Sequence, residues 1–274
     1  MTKRLSSCAR DLCAVAVGLI LIFPLLYAFL GAFRTQSEFA QYPPRLLPES
    51  FLNLSNFKRV LTGVPMGRYM FNSLVTATLT GAVKVAVAAL AAYAFAFYEF
   101  RGKKALFLLL VATMMLPPDT LIITNYRTVS RLGLTDTYLG ICLTSFVGAS
   151  QMFLLRQQFR QLPRELRDAA RIDGCSDGGY LLRVVLPLSL GVFLTLFLQS
   201  FIAQWNSYLW PLLVTDSDRM RTVQVGLSML TDAETANYEV VLAGASVALV
   251  PSLILFFLSR SKIGGTLTTG ALVE

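Results

Sequence analysis

The sequence predicts an all-α integral membrane protein with six transmembrane helices. Two observations support this fold class. Hydrophobic residues make up 55% of the 274 positions and charged residues only 15%, whereas soluble domains average about 45–50% apolar and about 25% charged residues. The apolar residues are also gathered in six long runs, each close to the roughly 20 residues that a helix needs to cross a hydrocarbon core. Because lipid offers the backbone no hydrogen-bond partner, these runs are expected to be helices.

The predicted spans follow one another along one transmembrane domain that covers residues 1–274. They occupy residues 12–33, 71–97, 105–124, 138–155, 184–203 and 240–258. The first run follows a basic segment, as in a secretory signal. It is longer than the roughly 7–15 apolar residues of a signal, however, and no small-residue cleavage site follows Phe33. We therefore predict an uncleaved span. In the third run, Pro117 and Pro118 are expected to break or kink the helix.

The distribution of Lys and Arg predicts that both termini lie in the cytoplasm. With this orientation the inner segments hold fourteen Lys and Arg residues and the outer segments nine, in line with the positive-inside rule. The connection between the fourth and fifth spans (162–183) and the tail (260–274) then face the cytosol. The formal net charge of +8 is explained by this bias, so no nucleic-acid partner is expected.

Several classes of enzyme are disfavoured by what the sequence lacks. It has no histidine, which is the commonest general base and the commonest neutral metal ligand. Its four cysteines form no CxxC pair and indicate no disulfide framework. It also has no G-x-x-x-x-G-K-S/T phosphate loop. We therefore predict that this chain is not an enzyme and carries no catalytic residue, metal site or cofactor.

The most informative segment lies between the fourth and fifth predicted spans. Pro163 suits the first turn of a helix, and Glu165 follows where the helix dipole favours an anion. Gly174 is expected to end this helix because glycine accepts the left-handed conformation at low steric cost. The paired alanines Ala169 and Ala170 would permit close approach of another protein. Spacing alone leaves two interpretations open, an ordinary amphipathic surface loop and a loop that docks into a partner.

The segment Asp168–Gly174, which reads Asp-Ala-Ala-Arg-Ile-Asp-Gly and is followed by Leu186-Pro187-Leu188, resembles the EAA loop of ABC-importer permeases. Three further segments are similar to the same family: Ala91–Phe95, Met115–Pro118 and Trp205–Leu212. The resemblance covers most of the chain and points to the maltose-type carbohydrate importers, specifically to their shorter six-span permease. Where that family has a leading Glu, this chain has Asp168, which is one methylene shorter. The tail is similar to the family's tail that reaches toward the ATPase.

The resemblance implies the architecture of a type I ABC-importer permease in the inner membrane of a bacterium. It implies that two different permease subunits sit on a dimer of ATPases, which bind ATP and Mg. It also implies that an extracytoplasmic binding protein delivers the ligand and that membrane lipid surrounds the spans. The loop would couple the membrane path to the ATPase, and the expected coupling residues are Glu165, Asp168, Ala169, Ala170, Asp173 and Gly174.

Candidate residues for the substrate path come from two places. Lys84 lies near the middle of the second predicted span, where an ionisable side chain is costly and is by default a candidate functional residue. It would attract an anionic ligand, or else it faces a partner subunit, pairs with a carbonyl or reaches the interface. Aromatic faces suit sugar rings and also form interfacial belts, so the segment after the fifth span supplies the other candidates: Trp205, Asn206, Tyr208 and Trp210.

The substrate is expected to be a neutral mono- or oligosaccharide. An importer of sn-glycerol-3-phosphate or of a glycerophosphodiester is the alternative, favoured by Lys84 and by the segment Trp205–Leu212. A secondary transporter is the rival from another class. It would typically show inverted repeats or discontinuous spans at matching positions, and neither is evident in the sequence.

Overall fold

A computed structural model describes residues 2–43, 45–230 and 237–269, with side chains over 11–43, 45–117, 120–230 and 237–257. Every regular element in this part of the chain is helical, which confirms the all-α prediction. The α-helices are α1 (Thr2–Gly31), α2 (Gln36–Ala40), α3 (Ser55–Gly63), α4 (Met66–Phe97), α5 (Lys103–Ala112), α6 (Ile122–Arg131), α7 (Tyr138–Cys142), α8 (Ala149–Arg160), α9 (Arg164–Ile172), α10 (Asp177–Tyr180), α11 (Leu186–Leu188), α12 (Leu190–Trp205), α13 (Leu209–Val214), α14 (Val223–Met229) and α15 (Tyr238–Thr269).

The chain divides into two compact units. The first unit comprises Met1–Gly67 and Gly226–Pro251, and the second comprises Arg68–Val225 and Ser252–Glu274. The coupling-loop candidates and the substrate-path candidates all belong to the second unit. The single transmembrane domain stays a prediction.

Three helical segments are long and apolar enough to cross a membrane: Asp11–Gly31, Met66–Phe97 and Tyr238–Phe257. Two bent pairs reach the same length together. Tyr138–Ser145 and Ala149–Arg160 meet at 54°, and Asp177–Leu188 and Leu190–Trp205 meet at 83°. The described residues therefore contain three to five candidate spans, at the places predicted for the first, second, fourth, fifth and sixth. The count of six and the cytoplasmic termini stay predictions.

The third predicted span, residues 105–124, is not one continuous helix. Helix α5 passes into a 3-10 turn at Thr113–Met115 and stops at Leu116, whose backbone is extended (φ −83°, ψ 124°). The chain becomes helical again only after Pro117. Proline lacks the N–H that a helix needs and pushes the preceding residue out of the helical region. The predicted break is therefore confirmed, and the third span itself stays a prediction.

The core of the second unit lies where the end of α4 meets α8 and the segment from α10 to α12. Small side chains of α4, among them Ala88 and Ala92, allow this close approach. Leu155 and Phe159 of α8 fill the core and are fully buried. Leu162, Ala170 and Cys175 pack against it from outside, so the core supports the segment predicted to couple the membrane path to the ATPase.

In the first unit, the segment after α1 is organised by Glu38, whose side chain is buried. The backbone N–H of Thr35 donates to Glu38 Oε2 at 2.5 Å, and that of Glu49 donates to Oε1 at 2.7 Å. The Thr35 hydroxyl accepts in return from the Glu38 N–H, which completes a capping box. Arg34, also buried, donates to the Glu38 carbonyl at 2.8 Å. The Glu38 carboxylate thus joins Thr35 to Glu49, and the Glu38 main-chain carbonyl is held by Arg34.

Candidate functional site

The predicted coupling loop folds as helix α9 and ends at a left-handed glycine. Pro163 takes the N-cap position, and Glu165 lies in the first turn. At the other end Gly174 has φ 71°, which confirms the predicted conformation. Its N–H donates to Arg171 O at 3.0 Å, and the N–H of Cys175 donates to Ala170 O at 2.9 Å. This pair of bonds is the Schellman arrangement, which satisfies the last carbonyls of a helix.

The candidate coupling residues lie together on one short element. Ala170 is half-buried against the core, whereas the other five coupling residues are exposed. Ile172, which follows them in the same helix, is 87% exposed. A helix with its inner side on the core and an outer side of small, acidic and apolar residues has the shape of a docking element. The outer residues are Glu165, Asp168, Ala169, Asp173 and Gly174.

Arg167 ties α9 to the end of α4, a role that no local sequence pattern indicates. Its Nη1 donates to Phe97 O at 2.8 Å, and its guanidinium carbon lies 5.2 Å from the centroid of the Phe97 ring. Its Nη2 lies 3.7 Å from Asp177 Oδ1, and its side chain is only 17% exposed. A partly buried guanidinium with these partners holds one geometry, unlike a solvated surface arginine.

Asp177 joins the same cluster from the start of α10. It accepts a hydrogen bond from the Tyr98 hydroxyl at 2.5 Å and a longer one from the Tyr93 hydroxyl at 3.5 Å. The bond to Asp177 raises the pKa of Tyr98, because a phenolate there would face a carboxylate. Arg167, Asp177, Tyr93, Phe97 and Tyr98 form what we call the Arg167 cluster. It connects α4, α9 and α10 through contacts between residues that are distant in sequence.

The substrate-path candidates occupy two different places in the second unit. Lys84 is half-buried in α4, and its Cδ lies 3.2 Å from where a Cβ on Gly148 would stand. The other candidates lie where α12 ends and α13 begins. There Trp205 is 2% exposed and stacks on Phe201 with ring centroids 5.9 Å apart. The structure therefore groups the candidates after α12 with one another and puts Lys84 beside the start of α8.

The polar contacts after α12 fix two of these side chains. Trp210 Nε1 donates to Ile141 O at 3.1 Å, so its ring is held against α7. Asn206 Oδ1 accepts from Gln224 Nε2 at 3.3 Å. Tyr208 is 42% exposed. Within the described residues, no group of three or more His, Cys, Asp or Glu side chains has the arrangement of a metal site. The role of all five candidates in a substrate path stays a prediction.

Comparison with known proteins identifies the family. Residues 84–261 match the family described as "Binding-protein-dependent transport system inner membrane component". The sn-glycerol-3-phosphate transport system permease protein of Agrobacterium fabrum is 33% identical over 256 residues, which cover 90% of each chain. The arabinooligosaccharides transport system permease protein of Halalkalibacterium halodurans is 34% identical over 257 residues, covering 93% of this chain and 92% of the relative.

Two solved structures share the fold. A chain of a bacterial ABC transporter involved in the import of the acidic polysaccharide alginate has a TM-score of 0.79 and 21% identity, over 95% of this chain and 97% of that chain. A chain of a bacterial alginate ABC transporter in complex with alginate pentasaccharide-bound periplasmic protein has a TM-score of 0.66 and 14% identity, over 94% and 93%.

The family match covers more than half of the chain, and the curated relatives exceed 30% identity over nine tenths of it. The solved structures add the fold, and α9 has the form that the family resemblance implies for the coupling loop. This chain therefore belongs to the binding-protein-dependent transport system inner membrane components, the permeases of bacterial ABC importers.

Proposed function

We propose that this chain forms half of the translocation path of a sugar importer and couples that path to a separate ATPase through α9. The observation that carries this function is the outer side of α9. Asp168, Ala169 and Asp173 are exposed there, while Ala170 behind them packs on the core. A partner that presses on this side acts on a helix that the core supports.

The Arg167 cluster gives a physical route from α9 to the membrane-spanning helices. A displacement of α9 pulls on Phe97 at the end of α4 through the Arg167 hydrogen bond. The same displacement reaches α10 through Asp177, and α10 continues by a π-helical segment, Leu181–Val185, toward the 83° bend before α12. ATP-driven closure of the partner would thereby reorient two candidate spans at once.

The expected partners follow from the proposal that the ATPase is a separate subunit. ATP and Mg²⁺ bind to a dimeric ATPase, since this chain has no phosphate loop of its own. A second permease subunit supplies the other half of the path, and an extracytoplasmic binding protein delivers the ligand. The periplasmic protein present in one alginate transporter structure supports the last of these partners.

A sugar is the first choice of substrate, because relatives of this chain belong to arabinooligosaccharide and alginate importers. An importer of sn-glycerol-3-phosphate or of a glycerophosphodiester is the second candidate, favoured by one observation. Lys84 places a cation near the middle of α4, and a cation there suits an anionic ligand better than a neutral one. The relatives that import sn-glycerol-3-phosphate agree with this second choice.

Co-purification of the ATPase with variants of α9 tests the coupling role. Ala169→Trp adds bulk to the outer side of α9 without touching the core, so the ATPase should no longer co-purify with the chain. Ala40→Trp is the matched control, because Ala40 is also an exposed helical alanine but lies in α2. An ATPase that is retained equally by both variants would show that α9 is not the docking element.

A further inference from the structure

A pocket with a basic lining opens between the end of α4, the start of α5 and α8. Its volume is about 890 Å³. Five cationic side chains line it: Lys103, Lys104, Arg156, Arg160 and Arg164. The other walls are largely apolar and include Phe100, Phe107 and Leu108. We call it the basic pocket.

The charges of the basic pocket are only partly balanced by the protein. Glu99 is its acidic lining residue and is already paired with Lys103 Nζ at 2.9 Å, which holds the pKa of Glu99 below its usual value. In the part of the chain that the structure describes, the arginines of the pocket and Lys104 make no ion pair with a carboxylate. Like charges confined in one pocket repel one another. An anion that entered would relieve this repulsion.

Arg156 is held in place before any ligand arrives. Its Nε donates to Phe95 O at 3.2 Å, and its guanidinium carbon lies 4.1 Å from the centroid of the Phe107 ring. These two contacts fix the plane of the guanidinium and leave its terminal nitrogens for a ligand. Arg160 follows one helical turn later on the same side of α8. A planar guanidinium group suits a phosphate, because two of its N–H groups can donate to two phosphate oxygens at once.

The start of α5 adds to this preference for an anion. The helix begins after Gly102, with no side chain capping its first N–H groups, and its first turn holds no Asp or Glu. These N–H groups and the helix dipole favour negative charge. Lys103 and Lys104 stand there instead. Lys103 is paired with Glu99, whereas Lys104 has no carboxylate partner among the described residues and is unfavourable at a helix start. The start of α5 and the basic side chains of the pocket thus both favour an anionic ligand.

The apolar surface next to the pocket indicates what carries the anion. From the pocket, α5 continues with leucines that are exposed to a large extent: Leu106 at 47%, Leu108 at 67% and Leu109 at 64%. In the proposed orientation, on which this inference rests, the pocket lies at the cytoplasmic boundary of the membrane. We propose that the basic pocket binds the headgroup of an anionic phospholipid of the inner leaflet, with the acyl chains lying along the leucines of α5. Basic pockets between spans on this side bind such headgroups in other membrane proteins.

A bound lipid here would also affect coupling. Arg164 lines the pocket and is the first residue of α9. A headgroup on Arg160 and Arg164 would fix the start of α9 relative to α8. Transport by the assembled importer should therefore depend on anionic lipid, and that dependence should require the arginines of the pocket.

The test uses the complete importer in nanodiscs of phosphatidylcholine, with or without phosphatidylglycerol. Native mass spectrometry counts the retained phosphatidylglycerol, and ATP hydrolysis is measured alongside. The double variant Arg156→Gln/Arg160→Gln should weaken retention by roughly tenfold or more, given the attraction of each cation to anionic lipid. The control is Arg127→Gln/Arg131→Gln, which changes the net charge equally at exposed positions of α6. It should retain the lipid as the unaltered importer does.

Three other outcomes would overturn the lipid site. One is equal retention by the two double variants. Another is displacement of phosphatidylglycerol by inorganic phosphate or free glycerophosphate at similar concentration, which would assign the pocket to a soluble anion. The third is loss of the ATPase subunit from the pocket variant with unchanged lipid retention, which would assign the pocket to a protein interface. If the unaltered chain assembles with no ATPase at all, it is the proposed function that fails, and lipid retention by the chain alone still reports on the pocket.

Discussion

Arg167 donates a hydrogen bond of 2.8 Å to the main-chain carbonyl of Phe97, the last residue of α4. The last carbonyls of a helix have no partner within it, and the helix dipole makes that end attractive to a cation. Arg167 thus completes α4 from a different helix, 70 residues further along the chain. The bond is made to the backbone, so it does not depend on the side chain at position 97. It makes α9 and α4 a mechanically connected pair.

Replacing Arg167 with Met should separate ATP hydrolysis from transport. Methionine keeps an apolar side chain beside the Phe97 ring but removes both the hydrogen bond and the ion pair to Asp177. A hydrogen bond from a charged group is worth about 1.5–3 kcal/mol, so transport should fall roughly tenfold or more while the subunits still assemble. The measurement is ligand uptake and ATP hydrolysis in proteoliposomes. Arg127→Met, at an exposed arginine of α6 outside the coupling route, is the control. A normal ratio of uptake to hydrolysis in Arg167→Met would contradict the coupling route.

Replacing Gly174 with Val should impair transport without preventing membrane insertion. A Cβ at this position would meet no atom within 4 Å, so a substitution there acts through the backbone and not through a clash. The left-handed conformation costs an L-residue roughly 1–2 kcal/mol, and a β-branched side chain adapts to it poorly. Gly174→Asn is the matched control, because asparagine tolerates this conformation. Uptake per membrane-inserted chain should fall for Val and stay near normal for Asn. Equal uptake by the two variants would show that the backbone conformation at the end of α9 does not affect transport.

The parts of the fold that the sequence predicted are those that local chemistry decides. The length and apolarity of the runs predicted the long helices within α1, α4 and α15. Pro117 predicted the break after α5, and Gly174 predicted the end of α9. Each of these features depends on a few neighbouring residues, so one sequence suffices to see it.

The parts that the sequence missed depend on contacts between distant residues. Arg167 was not singled out, because its two partners lie in α4 and α10. The 83° bend at Ser189 was likewise not predicted. The burial of Trp205 also depends on tertiary packing, which the spacing of apolar residues along the sequence does not reveal. The outer side of α9 was predictable, whereas the cluster that holds it was not.

Replacing Lys84 with Met should change which ligands are imported. If the ammonium group attracts an anionic ligand, uptake of sn-glycerol-3-phosphate should fall much more than uptake of a neutral sugar. Lys84→Arg keeps the charge and should keep the preference, although its larger head must fit beside Gly148. The measurement is competition between the two ligands for uptake by the complete importer. An equal loss for both ligands in Lys84→Met would mean that Lys84 serves packing or subunit contact.

Acid should weaken the loop after α1 through Glu38. Burial alone would raise the pKa of this carboxyl. Hydrogen bonds from the N–H groups of Thr35 and Glu49, together with the Arg34 cation, outweigh this effect, so the net pKa of Glu38 lies below its usual value. A carboxyl with a depressed folded-state pKa contributes stability above its unfolded pKa of about 4.5. That contribution is lost as the pH falls through the folded value. The rate of proteolysis within residues 34–54 should therefore rise on acidification below this range, measured with an acid-stable protease.

Glu38→Gln separates this contribution from general acid effects. The amide keeps one oxygen to accept a bond but loses the charge and the second acceptor. The variant loop should therefore be cleaved faster than the normal one near neutral pH. In acid, where Glu38 is itself protonated, the two should converge. Glu49→Gln is the control, since Glu49 has an exposed side chain that pairs with Arg45 at the surface, and such pairs contribute little. If the difference between Glu38→Gln and the normal chain were the same in acid as at neutral pH, the ionised carboxylate would not be what organises the loop.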